Sequence, residues 1–197
     1  MKAITRAPLL AMLATLVVTM GAQAAGPTEQ LRAGVDPVFR TLGDPALQGA
    51  DLVRERRARV FALIDDVFDF GHTARLSLGP HWERLTPEQR AGFVETFRAF
   101  VHRVYSPNVD GLDGEQIVYT GETVDGDRAT VKSKVITKTG SQIPVDFRLA
   151  HDGARWRIYD VNVEGLSLVG NYRTQFGRIL RAGSYDELLQ RLQGRPQ

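Results

Sequence analysis

The four histidines are the residues to test first for metal or acid–base chemistry. They are His72, His81, His102 and His151, and they fall in different stretches of the chain. None of them has the close spacing, such as H-x-x-x-H, that brings two imidazoles to one zinc ion. The sequence therefore predicts no metal centre and no cofactor.

Ser167 lies in a stretch that resembles a nucleophile elbow. The run Gly165-Leu166-Ser167-Leu168-Val169 stands between a predicted strand and a predicted helix, but valine occupies the position where G-x-S-x-G requires glycine. No histidine follows Ser167, so the Ser, Asp, His order of that fold cannot be assembled. We interpret Ser167 as the N-cap of the next helix.

Asp146 and Asp160 offer one catalytic alternative. Small cone-shaped α+β isomerases use a carboxylate whose pKa is raised in an apolar cup. Asp146 is predicted on a solvent-facing strand side beside Lys132, Lys134 and Arg148, which leaves Asp160 as the candidate. We expect no enzyme, with a small-substrate isomerase or hydrolase acting through Asp160 as the alternative.

The front half of the chain has the 3.6-residue periodicity of helices. Helices are predicted at 31–42 with a kink at Pro37, at 50–68, from an Asp69 cap to Leu78, and from a Thr86–Gln89 capping box to Pro107. Asp65 and Asp66 are adjacent on the second helix and point about 100° apart. They therefore predict solvent exposure and not a catalytic pair.

The back half changes to the alternation of strands. Strands are predicted at 117–120, 128–139, 142–151 and 155–163, separated by turns that contain Gly126, Gly140 and Gly153. A helical hairpin follows at 168–181 and, after a Ser184 cap, up to 192. This order predicts an α+β fold, with an antiparallel sheet of about four strands packed on helices.

The strand faces predict an interior. Val131, Val135, Val145, Phe147 and Leu149 share one face, opposite a charged face. In the fourth strand strict alternation puts Trp156 and Ile158 on one side and Tyr159, Val161 and Val163 on the other, so both sides look buried. Such a strand is either covered by helices on both sides or curls around a ligand cavity.

The first residues predict export. Lys2 and Arg6, an apolar run and Ala22-Gln23-Ala24 are typical of a signal peptide, residues 1–24, which leaves residues 25–197 as one soluble periplasmic domain. Without Lys2 and Arg6 the basic residues equal the 23 acidic residues in number, so nucleic acid is not an expected partner. The chain has no cysteine, which excludes disulfides and a lipidated cysteine.

One ordered set of motifs resembles a known family. Trp156–Val161 and Glu164–Phe176, preceded by Asp69-Phe70, Ala74-Arg75, Leu78-Gly79, Trp82, Leu85-Thr86, Gln89-Arg90 and the aromatic residues of the long helix, resemble the MlaC family of periplasmic phospholipid-binding proteins, also called toluene-tolerance auxiliary proteins. The resemblance implies an NTF2-like cone without catalytic activity. It also implies a monomeric carrier that moves phospholipid between an outer-membrane lipoprotein–porin complex and an inner-membrane ABC transporter with a ring-forming lipid-binding subunit.

A lipid site follows from this resemblance together with the inward strand faces and helix stripes. Tyr172, Arg173 and Phe176 are expected at the mouth, with Arg173 near the phosphate. A carrier of another apolar lipid, such as a hopanoid, is the alternative with the same fold. The predicted lining is Phe93, Phe97, Val101, Tyr105, Val135, Val145, Phe147, Leu149, Tyr159, Val161, Val163 and Leu166.

Overall fold

The computed structural model describes residues 25–111 and 114–194, so the predicted signal peptide lies outside the described residues. The helices are α1 (Pro27–Leu42), α2 (Val53–Val67), α3 (Phe70–Leu78), α4 (Pro87–Gly111), α5 (Leu168–Ala182) and α6 (Tyr185–Gln193). The strands are β1 (Gln116–Asp125), β2 (Arg128–Ile136), β3 (Gln142–His151), β4 (Trp156–Val163) and β5 (Leu166–Ser167). Short 3-10 turns cover Pro45–Leu47, Ala50–Leu52 and Gly79–Arg84. No helix within the described ranges has the length and apolar character needed to cross a bilayer.

The five strands form one antiparallel sheet in chain order. Val131 pairs with Phe147 on the buried inner face, whereas Lys132 pairs with Asp146 on the outer face. The predicted inward and outward sets of β2 and β3 are therefore confirmed, as is the α+β class. The two-residue strand β5 was too short for the sequence pattern to reveal.

A bulge interrupts β4 at Tyr159. Leu149 of β3 pairs with Ile158, whereas the preceding residue, Arg148, pairs with Asp160. Tyr159 is therefore an extra residue without a partner in β3. A bulge of this kind places two residues opposite one and disturbs the alternation of the strand.

The bulge corrects the predicted faces of β4. Ile158 and Val161 are three residues apart, yet their pairing with β3 places both on the inner face beside Phe147. Asp160 lies with Arg148 on the outer face. The prediction that Ile158 and Val161 face opposite ways is wrong, because it assumed unbroken alternation.

The helix starts follow the predicted caps. Asp69, Thr86, Ser167 and Ser184 each accept a hydrogen bond from a backbone N–H of the first helical turn. The Thr86 box is complete, since its own amide donates to the Gln89 side chain at 2.9 Å. Local side-chain chemistry therefore sets where these helices begin.

The end of α4 differs from the prediction. This helix continues through Pro107 to Gly111, so the expectation that Pro107 ends it is wrong. A proline inside a helix removes one backbone hydrogen bond. The last turn persists because Val109 is buried against Leu42 of α1 and Val60 of α2.

Candidate functional site

The predicted lining residues of the helices gather between α4 and α5, in what we call the helical cluster. Phe93, Phe97, Tyr172 and Phe176 are each at most 4% exposed. The Phe97 ring meets those of Tyr172 and Phe176 edge-on, at centroid distances of 5.2 and 5.6 Å. Such edge-to-face contacts add to the burial of apolar area. The cluster is completed by Ala74, Leu78, Leu188 and Leu192.

The predicted lining residues of the strands gather in a second group on the inner face of the sheet, the sheet cluster. Val145, Phe147 and Leu149 are buried there, and Val135 and Val161 pack against them as partly buried side chains. Helix α1 covers this face. The other buried members are Leu31, Val35, Phe68, Phe70, Ala129, Val131 and Ile158.

Two valines of α4 contact both clusters. Val94 and Val101 are partly buried, and each packs against the helical cluster and the sheet cluster. We call this junction the seam. Sequence reasoning found Val101 but missed Val94, although a spacing of seven residues puts the two on one helix face.

The two clusters meet at the seam, because Val94 and Val101 each contact both of them, and we call this arrangement closed. Two clefts are present elsewhere on the described part of the chain, with volumes of about 180 and 370 Å³. The first is lined by Leu78, His81, Arg84, Leu85, Leu180, Gly183 and Tyr185, and the second by Glu95, Thr96, Ala99, Arg103, Leu192 and Gln193. Neither of these two clefts includes a residue of the sheet. A ligand in the seam has to part the two clusters.

Three predicted lining residues lie away from the seam. Tyr159, the bulge residue, stacks on His72 at 4.6 Å and receives the Arg128 guanidinium at 5.1 Å. Val163, the last residue of β4, pairs with Val145 of the sheet cluster and with Leu166, the first residue of β5, but Val163 and Leu166 are 41% and 77% exposed. The structure therefore leaves Tyr159 and Leu166 apart from the clustered residues and places Val163 at the exposed edge of the sheet cluster.

Tyr172 and Arg173 are neighbours in sequence with different surroundings. Burial, and then the nearby Tyr105 hydroxyl, raise the pKa of Tyr172 above its usual value, so its hydroxyl stays neutral. Arg173 is exposed, and its guanidinium lies against Gly79, where a Cβ would come within 3.0 Å of Nε. A cation thus stands in solvent at the edge of the helical cluster.

Asp160 is a structural carboxylate. It is 1% exposed and accepts hydrogen bonds from the Ser167 hydroxyl at 2.7 Å, the Val169 amide at 3.0 Å and the Arg148 guanidinium at 3.3 Å. The three donors give this buried carboxylate its hydrogen-bond partners. The isomerase hypothesis needed an apolar cup around this group and so loses the residue on which it depended.

Metal ligands do not converge on any site in the described ranges. Across residues 25–111 and 114–194, no three His, Asp or Glu side chains come together as a set that could hold a metal ion. The candidate site is the apolar seam, where Val94 and Val101 contact both clusters.

Comparisons with known proteins bear on this arrangement. A solved structure of the phospholipid-binding protein from Ralstonia solanacearum in complex with a phospholipid matches with a TM-score of 0.76 and 26% identity, over 86% of this chain and 96% of that one. Toluene tolerance protein ttg2D of Pseudomonas putida is 29% identical over 104 residues, which are 52% of this chain and 48% of that protein. This chain thus spans about half the length of that curated relative. The family model for the MlaC protein matches residues 32–194, a stretch that begins in α1 and includes every later helix and strand, and the chain therefore belongs to the MlaC family.

Proposed function

We propose that this chain is a periplasmic phospholipid carrier whose acyl-chain site is the seam. The observation that carries the proposal is the junction at Val94 and Val101, where the apolar side chains of two clusters meet. The fold match to a protein solved with phospholipid supports it, as does membership of the MlaC family.

The need for such a site follows from the hydrophobic effect. A diacyl phospholipid has roughly 30 methylenes, and at about 0.8 kcal/mol each their exposure to water costs roughly 24 kcal/mol. Spontaneous escape from a bilayer into water is therefore negligible. A carrier has to offer the tails an environment nearly as apolar as the membrane.

The closed seam is compatible with this role. Parting the clusters uncovers apolar side chains, and the acyl tails cover them again, so apolar contacts are exchanged and not lost. We propose Arg173 as the phosphate partner at the mouth, and Tyr105, which lies near the Tyr172 hydroxyl, as a further lining residue. The proposed lining takes members of both clusters, namely Phe93, Phe97, Val101, Val135, Val145, Phe147, Leu149, Val161, Tyr172 and Phe176.

The carrier role extends this binding function. A passive apolar site accepts and returns lipid in either direction, so any net flow has to come from its partners. We propose that the chain exchanges phospholipid with an outer-membrane lipoprotein–porin complex and with an inner-membrane ABC transporter that has a ring-forming lipid-binding subunit.

Native mass spectrometry of the chain from Ala25 tests the binding function. We expect the purified protein to carry an added mass of one phospholipid, and solvent extraction to yield that lipid. A hopanoid or another isoprenoid in the extract would replace the ligand assignment. A ligand-free spectrum after purification and after incubation with phospholipid vesicles would contradict the proposal.

Isosteric substitutions test the place of binding. Val101→Thr and Val161→Thr each exchange a methyl group for a hydroxyl, and we expect phospholipid affinity to fall about tenfold because the seam becomes more polar. The matched control is Val118→Thr, since Val118 is 47% exposed and pairs with Lys134 on the outer face of the sheet. Equal affinities for all three variants would exclude the seam as the site.

A further inference from the structure

A carboxylate on α2 holds the middle of α4. Asp65 accepts a hydrogen bond from the Arg98 guanidinium at 3.2 Å, and its other oxygen lies 2.8 Å from His102 Nε2. Arg98 and His102 are one turn apart on α4, so one side chain of α2 engages two successive turns of its neighbour. We call these three residues the clasp.

The clasp is better shielded than a surface ion pair. The side chains of Asp65 and His102 are 28% and 21% exposed. The His102 ring stacks on Phe61 at 4.2 Å and meets the edge of Phe70 at 5.8 Å. Aromatic neighbours reduce screening by water and hold the imidazole in place, so the contact between Asp65 and His102 contributes more than an exposed pair. The Arg98 side chain is 40% exposed and also pairs with Glu95, so it contributes less.

The clasp stands directly beside the seam. Arg98 follows Val94 by one helical turn, and His102 is the residue after Val101. Helix α4 therefore cannot move away from the sheet cluster at Val94 and Val101 without drawing Arg98 and His102 away from Asp65.

Helices α3 and α5 are attached to the rest of the fold differently from α4. At β4, α3 and α5 are fastened by direct bonds: the Asp69 amide donates to the Ile158 carbonyl at 2.7 Å, the Thr73 hydroxyl to the Tyr159 carbonyl at 2.8 Å, and the Val169 amide to Asp160. Across the seam, α4 meets α2 through side chains. The side-chain junction is the one that can part and close again without disrupting the sheet.

We propose that the Asp65 clasp controls the access of phospholipid to the seam. The clasp favours the closed arrangement, and its opening precedes the entry of the acyl tails. This inference rests on the proposed function and adds a positioning role for Asp65, which sequence reasoning had assigned to an exposed helix face.

A double-mutant cycle on the rate of lipid uptake tests this role. The delipidated chain from Ala25 is mixed with vesicles of phosphatidylethanolamine and phosphatidylglycerol that contain a self-quenched fluorescent phospholipid, and uptake is followed as dequenching. We expect Asp65→Asn to accelerate uptake about five- to tenfold, Arg98→Gln to accelerate it less, and the double variant to match Asp65→Asn, because all act on one set of contacts.

Asp66→Asn is the matched control. Asp66 is the next residue of α2, is 66% exposed and pairs with Arg155 at 3.0 Å on the surface. We expect this variant to take up lipid at the unsubstituted rate. Should Asp65→Asn fail to fold, Arg98→Gln and His102→Gln carry the same test, since each leaves Asp65 one partner.

The outcomes separate the two proposals. Two outcomes would overturn the clasp and leave the carrier function standing. In the first, the unsubstituted protein takes up lipid and Asp65→Asn does not accelerate uptake. In the second, the accelerations of the single variants multiply in the double variant, as general destabilisation would make them do. No uptake by the unsubstituted protein overturns the carrier function and the clasp with it.

Discussion

At the scale of single residues, Asp160 joins three parts of the fold. Its buried carboxylate receives the hydroxyl that caps α5, the Val169 amide in the first turn of the same helix, and a guanidinium from β3. A negative charge at a helix N-terminus also interacts favourably with the helix dipole. Asp160 therefore positions α5, and with it Tyr172 and Phe176 in the helical cluster.

Substitution of Asp160 tests how much this carboxylate stabilises the fold. We expect Asp160→Ala to lower the free energy of unfolding by about 2–4 kcal/mol, because buried donors lose their acceptor. Asp146→Ala, on the outer face beside Lys132, should change it by less than about 0.5 kcal/mol. Urea denaturation measures both values, and similar losses for the two variants would contradict the anchor role.

His72 makes the stability of the folded protein depend on pH. Burial, and then the neighbouring Arg128, lower the pKa of His72 below its ordinary value near 6.5. The unfolded chain therefore binds a proton more readily than the folded one, and stability falls as the pH drops below 6.5 towards the folded pKa. We expect His72→Gln to lose less stability than the unsubstituted protein between pH 7.5 and 5.5 in chemical denaturation. An identical loss in both proteins would show that His72 is not responsible.

At the scale of elements, α1 and α2 approach closely at Gly34. A Cβ at this position would lie 2.1 Å from Val67 Cγ1, and the branched Val67 side chain has little freedom to turn aside. The absence of a side chain at Gly34 therefore sets the distance between the two helices that cover the sheet.

Alanine substitutions at two helical glycines test this contact. Gly34→Ala should destabilise the protein by about 1–3 kcal/mol through overpacking. Gly92→Ala, in α4 with open space around it, should stabilise it by up to about 1 kcal/mol through helix propensity. Val67→Ala in the Gly34→Ala background should recover part of the loss in thermal unfolding. A stabilising Gly34→Ala would contradict the close packing.

Sequence patterns predicted those elements whose causes are local. The caps at Asp69, Thr86 and Ser184 depend on residues within one turn, and the faces of β2 and β3 follow from alternation. The features that were missed depend on distant contacts. The β4 bulge lies where the Asp69 amide bonds to the Ile158 carbonyl, far away in sequence.

Sequence patterns likewise predicted only part of the candidate site. Periodicity identified the apolar members of α4, α5 and the strands, but it contains no information on which of them meet in space. The division into two clusters, the role of Val94 and the outward position of Tyr159 follow from tertiary packing and from the bulge. Asp65 was placed on a solvated face because its partners lie on another helix.

At the scale of the whole molecule, the closed seam makes lipid binding a change of packing. A ligand that binds the folded protein and not the unfolded chain raises the free energy of unfolding, by about 2.7 kcal/mol at one hundred times its dissociation constant. We expect a higher unfolding temperature with excess phospholipid in detergent-free vesicles. Glycerophosphate, which has the headgroup without the tails, should leave the unfolding temperature unchanged. A shift with glycerophosphate as large as with phospholipid would exclude an apolar site.

The extra residue Tyr159 determines which changes in length β4 can accept. The bulge takes Tyr159 out of the pairing with β3, so that Ile158 and Val161 both lie in the interior while Asp160 reaches outward to α5. If Tyr159 were deleted, Ile158, Asp160 and Val161 would follow one another as the partners of Leu149, Arg148 and Phe147, and regular alternation would keep each on its present side of the sheet. β4 should therefore tolerate the loss of this one residue better than a deletion or insertion elsewhere in the strand, which would turn either the apolar residues or the carboxylate to the opposite side of the sheet.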